Sequence, residues 1–177
     1  IPSYNRIKKK VIFNGLNFSI TKSNISTRNY KKKLNIVNTD KIISIIGIIE
    51  ENKGQYFAIK VFKEIITKYK NVHLINCGPL DKSFLKKCKK LLMRKKLLDR
   101  VTFEGFISYK ALPIKYADAD LIIVPAEIYE SFSYTVAQGM ACGKAVIASK
   151  IGGITETLNN GNAGLLFSPG NEIDLFE

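Results

Sequence analysis

Residues 124–160 read VPAEIYESFSYTVAQGMACGKAVIASKIGGITETLNN, and this stretch decides which fold the chain can adopt. Its first residues predict the end of a buried strand, and the loop that follows carries Glu130. A helix rich in small residues then runs to Gly143, and the apolar run Ala145–Ala148 predicts a second strand. The Gly152-Gly153 pair marks a turn into another helix. Strands and helices in this order predict a parallel sheet covered by helices.

The same alternation extends toward the start of the chain. The Ile-rich run Lys41–Gly47 predicts a strand buried on both faces, and Lys53–Lys70 has the apolar spacing of a helix. Further strands are predicted at Val72–Asn76, Val101–Phe103, Asp120–Val124 and Ala163–Phe167, with helices at residues 81–98 and 108–117. Right-handed crossovers then give an α/β fold, a Rossmann-like parallel sheet with helices on both faces. Residues 1–40 are polar and predict a linker from a preceding domain, and residues 41–177 predict the Rossmann-like domain.

Composition narrows the class of protein. The 177 residues are 46% hydrophobic and 24% charged, as in one globular domain, and no apolar run approaches the ~20 residues of a membrane span. The net charge of +13 favours an anionic partner, although a general bias toward Lys is an equal alternative. Three cysteines without a Cys-x-x-Cys pair favour a reducing compartment such as the cytoplasm. No Asp, His or Cys cluster has metal-ligand spacing, so we expect no metal and no cofactor.

The most basic segment is Lys86–Lys96, KKCKKLLMRKK. A surface helix with a solvated lysine face is the favoured interpretation, and peripheral contact with an acidic membrane surface is the alternative. The segment contains no aromatic residues, which disfavours nucleic-acid binding. The chain also lacks a G-x-G-x-x-G motif after its first strand and a Walker A loop, which disfavours a dehydrogenase and a P-loop NTPase.

The helix after Glu130 has the features of an anion site. Unpaired backbone N–H groups at Ser133, Tyr134 and Thr135 would hold a phosphate at the positive end of this helix. The Glu130 carboxylate would accept hydrogen bonds from sugar hydroxyls. Together these groups suit a nucleotide sugar, while the alternative is that Glu130 only caps the helix.

Several motifs occur in the order expected of one known family. They are Val11–Gly15, Asn52-Lys53-Gly54, Gly78-Pro79, Phe103–Phe106, Ala117–Asp120, Gly139–Ser149, Gly152-Gly153 with Glu156, and Asn162–Phe167 with Pro169-Gly170. With them the chain resembles the C-terminal, donor-binding domain of retaining GT-B glycosyltransferases of family four, also called glycosyl transferases group 1.

The resemblance implies a function. The domain would bind a UDP- or GDP-sugar and pass the sugar, with retained configuration, to a saccharide or lipid-linked acceptor held by an N-terminal domain. The pathway would be glycan or cell-envelope polysaccharide biosynthesis in the cytoplasm, with peripheral binding at the inner face of the membrane left open. No bound metal is needed, and the isolated domain should not turn over.

The resemblance also assigns roles to individual residues. The family has two glutamates separated by seven residues; Glu130 matches the first, on the sugar, and Gln138 replaces the second, on the ribose. Lys53 matches the lysine on the diphosphate, whereas Ile48 stands where the family has an arginine. The other donor contacts implied are Ser133, Tyr134, Thr135, Gly78 and the base-facing loop of Gly105, Phe106 and Ile107.

Two departures from the family pattern leave a second hypothesis open. Ile48 removes a positive charge and Gln138 replaces a carboxylate, so the domain is alternatively a catalytically weakened module that binds a nucleotide sugar or serves assembly. Lys144 and Lys150 are candidates to replace the missing charge. A nucleotide-sugar epimerase on the same fold is a third, less favoured hypothesis.

Overall fold

The computed structural model describes residues 10, 12, 14–16 and 28–177. Most of the linker predicted over residues 1–40 therefore lies outside the described residues, as do Val11 and Phe13 of the motif at residues 11–15. The short helix α1 (Arg28–Lys33) precedes the sheet. No helix in the described part of the chain is long and apolar enough to span a membrane.

The core of the fold is a six-stranded parallel sheet with the order β3-β2-β1-β4-β5-β6. Its strands are β1 (Lys41–Ile46), β2 (Val72–Cys77), β3 (Val101–Gly105), β4 (Leu121–Val124), β5 (Ala145–Ser149) and β6 (Leu165–Phe167). The helices are α2 (Gln55–Lys68), α3 (Lys82–Lys95), α4 (Leu112–Asp118), α5 (Tyr134–Ala141), α6 (Gly152–Thr157) and α7 (Glu172–Phe176). The predicted Rossmann-like α/β fold is confirmed.

Both faces of the sheet are buried, which explains the unbroken isoleucine run of β1. Ile43 and Ile45 pack into one hydrophobic cluster with residues of α2 and α3. Ile42 and Ile46 point to the opposite cluster, which includes Tyr116 and Val136. Alternate side chains of a strand face opposite sides, so a strand covered on both sides needs apolar residues at consecutive positions.

Most element boundaries agree with the sequence, and the differences have local causes. The helix predicted from Lys53 begins at Gln55, because Gly54 takes a left-handed conformation (φ +76°) that separates α2 from a 3-10 turn over Glu51–Lys53. The helix predicted at residues 108–117 divides into a 3-10 turn, Tyr109–Ala111, and α4. Asp81 caps α3 by accepting a hydrogen bond from Phe84 N at 2.7 Å.

Two glycines let the loops after neighbouring strands approach each other. A Cβ on Gly54 would lie 1.8 Å from Pro125 O, and a Cβ on Gly78 would lie 1.8 Å from Gly47 O. The loops after β1, β2 and β4 therefore pack backbone against backbone at the carboxyl edge of the sheet. The chain order reverses between β1 and β4, and such a reversal leaves a crevice that parallel α/β proteins use for ligands.

Candidate functional site

An ion pair lies at the crevice between β1 and β4. Lys53 Nζ is 2.8 Å from Glu130 Oε1, although the two residues are 77 positions apart in the chain. The side chains are 30% and 17% exposed, so they are partly shielded yet remain open to a ligand. A cavity of about 150 Å³ adjoins them, and its polar and strand-end lining includes Gly47, Gln55, Ser133 and Thr135.

The loop that carries Glu130 is held by the Gly152-Gly153 pair. Gly153 N donates a hydrogen bond to Glu130 O at 2.7 Å. A Cβ on Gly153 would lie 1.9 Å from Ser131 O, and one on Gly152 would lie 2.4 Å from Glu130 O. The sequence predicted a turn at this pair but not its contact with the Glu130 loop, since the contact joins segments that only the fold brings together.

The first turn of α5 points its unpaired N–H groups at the same region. Ser133 is the N-cap of α5, and its Oγ accepts from Val136 N at 3.5 Å, so Glu130 does not cap this helix. Among the described residues none accepts a hydrogen bond from the N–H groups of Ser133, Tyr134 or Thr135. Thr135 Oγ1 donates to Ile46 O at 3.0 Å and fixes the helix to the end of β1.

Of these three residues, Ser133 and Thr135 line the cavity and Tyr134 does not. The Tyr134 side chain is half exposed and packs edge-on against Phe132, with the ring centroids 5.0 Å apart. The backbone of all three residues still belongs to the open end of α5. Their predicted role in phosphate binding stays a prediction.

Gln138 is placed differently from its expected role as a hydrogen-bond acceptor. Its Oε1 already accepts from the Tyr116 hydroxyl at 2.9 Å. Tyr116 is 2% exposed, and this burial raises the pKa of its hydroxyl. The carbonyl oxygen that we expected to contact the ribose is thus engaged by α4, and no sequence pattern indicates this contact. Gln138 is not among the cavity-lining residues.

The predicted base-facing loop lies farther along the same edge of the sheet. Gly78 N donates to Gly105 O at 2.8 Å, so these two predicted contact residues sit side by side at the ends of β2 and β3. Phe106 is 77% exposed, whereas Ile107 packs against the cluster that contains Tyr116. None of the four lines the cavity at β1 and β4.

The hydrophobic Ile48 occupies the position where the family has an arginine, and the two lysines proposed to replace that charge lie outside the cavity. Ile48 is half exposed at the cavity. Lys144 precedes β5, at the opposite edge of the sheet, and its Nζ donates to Ala117 O at 2.7 Å, so it cannot replace the arginine. Lys150 follows β5 at the correct edge. The backbone N–H and the hydroxyl of Ser168 lower the pKa of Asp174, and the Lys150 charge lowers it more weakly. Lys150 is not among the residues that line the cavity.

Among the described residues that line the cavity, Lys53 is the single cationic one. Gln55, which the sequence analysis did not single out, also lines it. Its side chain is 1% exposed, its Nε2 donates to Ile48 O at 2.9 Å, and no described residue donates to its Oε1. Within the described part of the chain, no group of three His, Cys, Asp or Glu residues is arranged to hold a metal ion.

The family described as glycosyl transferases group 1 matches residues 26–177. The chain belongs to this family. An uncharacterized glycosyltransferase of Methanocaldococcus jannaschii is 30% identical over 93% of this glycosyltransferase chain and 42% of its own length. The lipopolysaccharide 1,2-N-acetylglucosaminetransferase of Salmonella typhimurium is 33% identical over 77% of the chain and 37% of its own length. The chain thus spans less than half the length of these curated relatives.

Solved structures agree with the family assignment. Anabaena HepE, crystallised with UDP and glucose, is 26% identical and superposes with a TM-score of 0.85 over 94% of this chain and 45% of its own. The C-terminal domain of the Francisella tularensis group 1 protein LpcC is 22% identical and shares the fold, with a TM-score of 0.79 over 92% of this chain and 84% of its own. The predicted identity as a GT-B C-terminal domain is confirmed.

Proposed function

We propose that this domain binds a nucleoside-diphosphate sugar at the carboxyl edge of its sheet. The observation that carries the proposal is the meeting of Lys53 and Glu130, 2.8 Å apart, beside the open N-terminus of α5. A cation, a carboxylate and free N–H groups in one crevice match the three parts of such a donor: diphosphate, sugar hydroxyls and distal phosphate. The UDP and glucose bound by HepE support the same ligand class.

Each group has a defined task in this proposal. Lys53 contacts the diphosphate and stabilises the negative charge that develops on the leaving group. The N–H groups of Ser133, Tyr134 and Thr135 bind the phosphate at the positive end of α5. Glu130 accepts hydrogen bonds from the sugar, and Gly78 with the Gly105–Ile107 loop faces the base. The positive charge comes from Lys53 and the helix end, so the proposal includes no metal or cofactor.

The whole enzyme would transfer the sugar with retained configuration to a saccharide or lipid-linked acceptor. We propose that an N-terminal domain holds this acceptor and that residues 1–40 lead from it, since the curated relatives are more than twice as long as the matched segment. Glycan or cell-envelope polysaccharide synthesis in the cytoplasm is the proposed setting. The Salmonella lipopolysaccharide enzyme supports the pathway. Cys77, Cys88 and Cys142 form no disulfide within the described part of the chain, which suits a reducing compartment.

A second candidate function is nucleotide-sugar binding without efficient transfer. It is favoured by the hydrophobic Ile48 beside the cavity and by the engagement of Gln138 Oε1 with Tyr116. Loss of one charge-stabilising group typically lowers an enzyme's rate by ~10²–10³. Donor binding without turnover across a range of acceptors would identify this weakened form.

The proposed peripheral contact with an acidic membrane surface rests on α3. This helix covers the sheet through Phe84, Cys88, Leu91 and Leu92, as expected of a surface helix. Its solvent side is rich in lysine, contains no acidic residue and exposes Met93, with Leu98 following. We expect co-sedimentation with phosphatidylglycerol vesicles and not with phosphatidylcholine vesicles. Replacing Lys86, Lys89 and Lys90 by Gln should abolish it, and replacing Lys60, Lys68 and Lys70 should not. An equal loss of vesicle binding in both triple variants would mean that binding depends on net charge alone and not on the surface of α3.

Calorimetry with UDP, GDP and their sugars tests the donor site. Lys53→Met should weaken binding at least tenfold, because it removes the cation on the diphosphate. Lys87→Met is a matched control, since Lys87 also forms an ion pair, with Glu51, but lies on α3. Binding that is equally strong in the Lys53→Met and wild-type chains would refute the site.

A further inference from the structure

Tyr116 is a buried polar residue that none of the proposed donor contacts uses. It lies on α4, and its hydroxyl reaches across to α5, where it donates to Gln138 Oε1 at 2.9 Å. The tyrosine is only 2% exposed, and the hydrogen bond to the half-buried Gln138 is partly shielded from water. A buried hydroxyl that loses its partner costs about 1–3 kcal/mol, so the contact holds both side chains firmly.

The two ends of the Gln138 amide are chemically different. The oxygen only accepts hydrogen bonds and the NH₂ group only donates them. When the oxygen is turned to Tyr116, the NH₂ group must point away from it. Among the described residues none accepts a hydrogen bond from Gln138 Nε2.

Thr135 anchors the same helix to the sheet. Its Oγ1 donates to Ile46 O, at the end of β1, at 3.0 Å. Residues three positions apart on a helix are neighbours, so Gln138 lies beside the first turn of α5. Tyr116 holds the Gln138 side chain there through its hydroxyl.

We propose that Tyr116 is a positioning residue that orients the Gln138 amide so that its NH₂ group donates to a ribose hydroxyl oxygen of the nucleotide. The inference rests on the proposed function, together with the ribose contact that the family resemblance implies for Gln138. It changes the expected polarity of that contact, from an acceptor on the protein to a donor. A carboxylate at this position would need no such orientation, because its two oxygens are equivalent.

The equivalence of carboxylate oxygens provides the test. UDP affinity is measured by calorimetry for wild type, Tyr116→Phe, Gln138→Glu and the double variant. In the wild-type background, we expect Tyr116→Phe to weaken UDP binding about fivefold, which is the effect of one hydrogen bond. In the Gln138→Glu background, the same substitution should weaken UDP binding less than twofold. A purely structural tyrosine would give the same loss in both backgrounds, which would overturn the inference. Tyr109→Phe, at an exposed tyrosine of the preceding turn, is the control.

A second measurement does not depend on the Tyr116 variant. UDP analogues with a ribose hydroxyl replaced by methoxy can still accept a hydrogen bond but cannot donate one. The affinity penalty of the relevant analogue should be several-fold larger for Gln138→Glu than for wild type. An equal penalty would show that Gln138 presents its oxygen. Failure of the wild-type chain to bind UDP and GDP would refute the proposed function instead.

Discussion

Two partly buried ion pairs lie at the carboxyl edge of the sheet, and only one of them has the surroundings of a ligand site. Lys53–Glu130 adjoins a cavity of about 150 Å³ and the open end of α5. Lys115–Glu104, at 2.9 Å, is more deeply buried, with side chains 13% and 11% exposed, and Cys77 Sγ donates to Glu104 Oε2 at 3.3 Å. Charge and burial are common to both pairs. Space and unpaired donors beside the pair separate a candidate site from a structural contact.

The largest effect is expected at the first pair. Glu130→Ala removes the proposed sugar contact, so transfer by the whole enzyme should fall by ~10²–10³, with thermal stability nearly unchanged. Steady-state transfer assays and thermal unfolding measure the two effects. Transfer at the wild-type rate would mean that Glu130 is only a surface carboxylate.

The second pair should show the opposite pattern. Glu104→Ala leaves Lys115 charged in a mostly buried position, which we expect to lower the free energy of unfolding by about 3 kcal/mol. Donor affinity of the folded protein should change less than threefold. Chemical denaturation measures the stability and calorimetry measures the donor affinity. A loss of donor binding without a loss of stability would contradict this prediction and indicate that the donor binds near β3.

A smaller effect is expected at Asp118, a buried carboxyl near the second pair. Neither of its oxygens has a partner among the described residues, and burial raises its pKa from 3.8 to about 6. Because the folded state holds the proton more tightly than the unfolded state, stability falls as the pH rises from about 4 to about 6. Asp118→Asn should therefore raise the free energy of unfolding by about 2 kcal/mol at pH 7.5 and flatten that pH dependence.

Denaturation curves at several pH values measure this effect. Asp120→Asn is a suitable contrast. Because Asp120 accepts hydrogen bonds from Ile42 N and Lys41 Nζ, this substitution should lower the free energy of unfolding instead. A pH dependence that persists in Asp118→Asn would assign the titration to another group.

The smallest effect is predicted for the lysines that do not line the cavity. Lys144→Ala and Lys150→Ala should each change donor affinity less than twofold, because Lys144 donates to Ala117 O and neither lysine is among the residues that line the cavity. Calorimetry of both variants, with Lys53→Met measured alongside for comparison, checks this prediction of donor affinity. A tenfold loss in Lys150→Ala would mean that a second cation serves the diphosphate.

The sequence predicted the fold well because its signals are local and repeated. Apolar runs such as β1, capping residues such as Asp81 and glycine turns act within a few positions of the chain. The prediction of Lys144 as a substitute cation was wrong, because Lys144 precedes β5 and lies at the opposite edge of the sheet. The rim position of Lys53 and Glu130 also follows, since both come after neighbouring parallel strands.

The rest depends on contacts between distant segments. The Tyr116–Gln138 hydrogen bond joins two helices, and the end of an amide that faces a ligand has no signature in the sequence. The backbone contact of Gly153 with the Glu130 loop likewise appears only when α6 packs behind that loop. Sequence patterns therefore identify candidate residues, whereas their hydrogen-bond polarity and support come from packing.

The most direct test of the central claim is a crystal structure of the domain with a nucleoside-diphosphate sugar. We predict that the diphosphate contacts Lys53 Nζ and the N–H groups of Ser133–Thr135, with Glu130 on the sugar and the 2.8 Å Lys53–Glu130 contact lengthened. A donor bound away from this crevice, with the ion pair unchanged, would contradict the account.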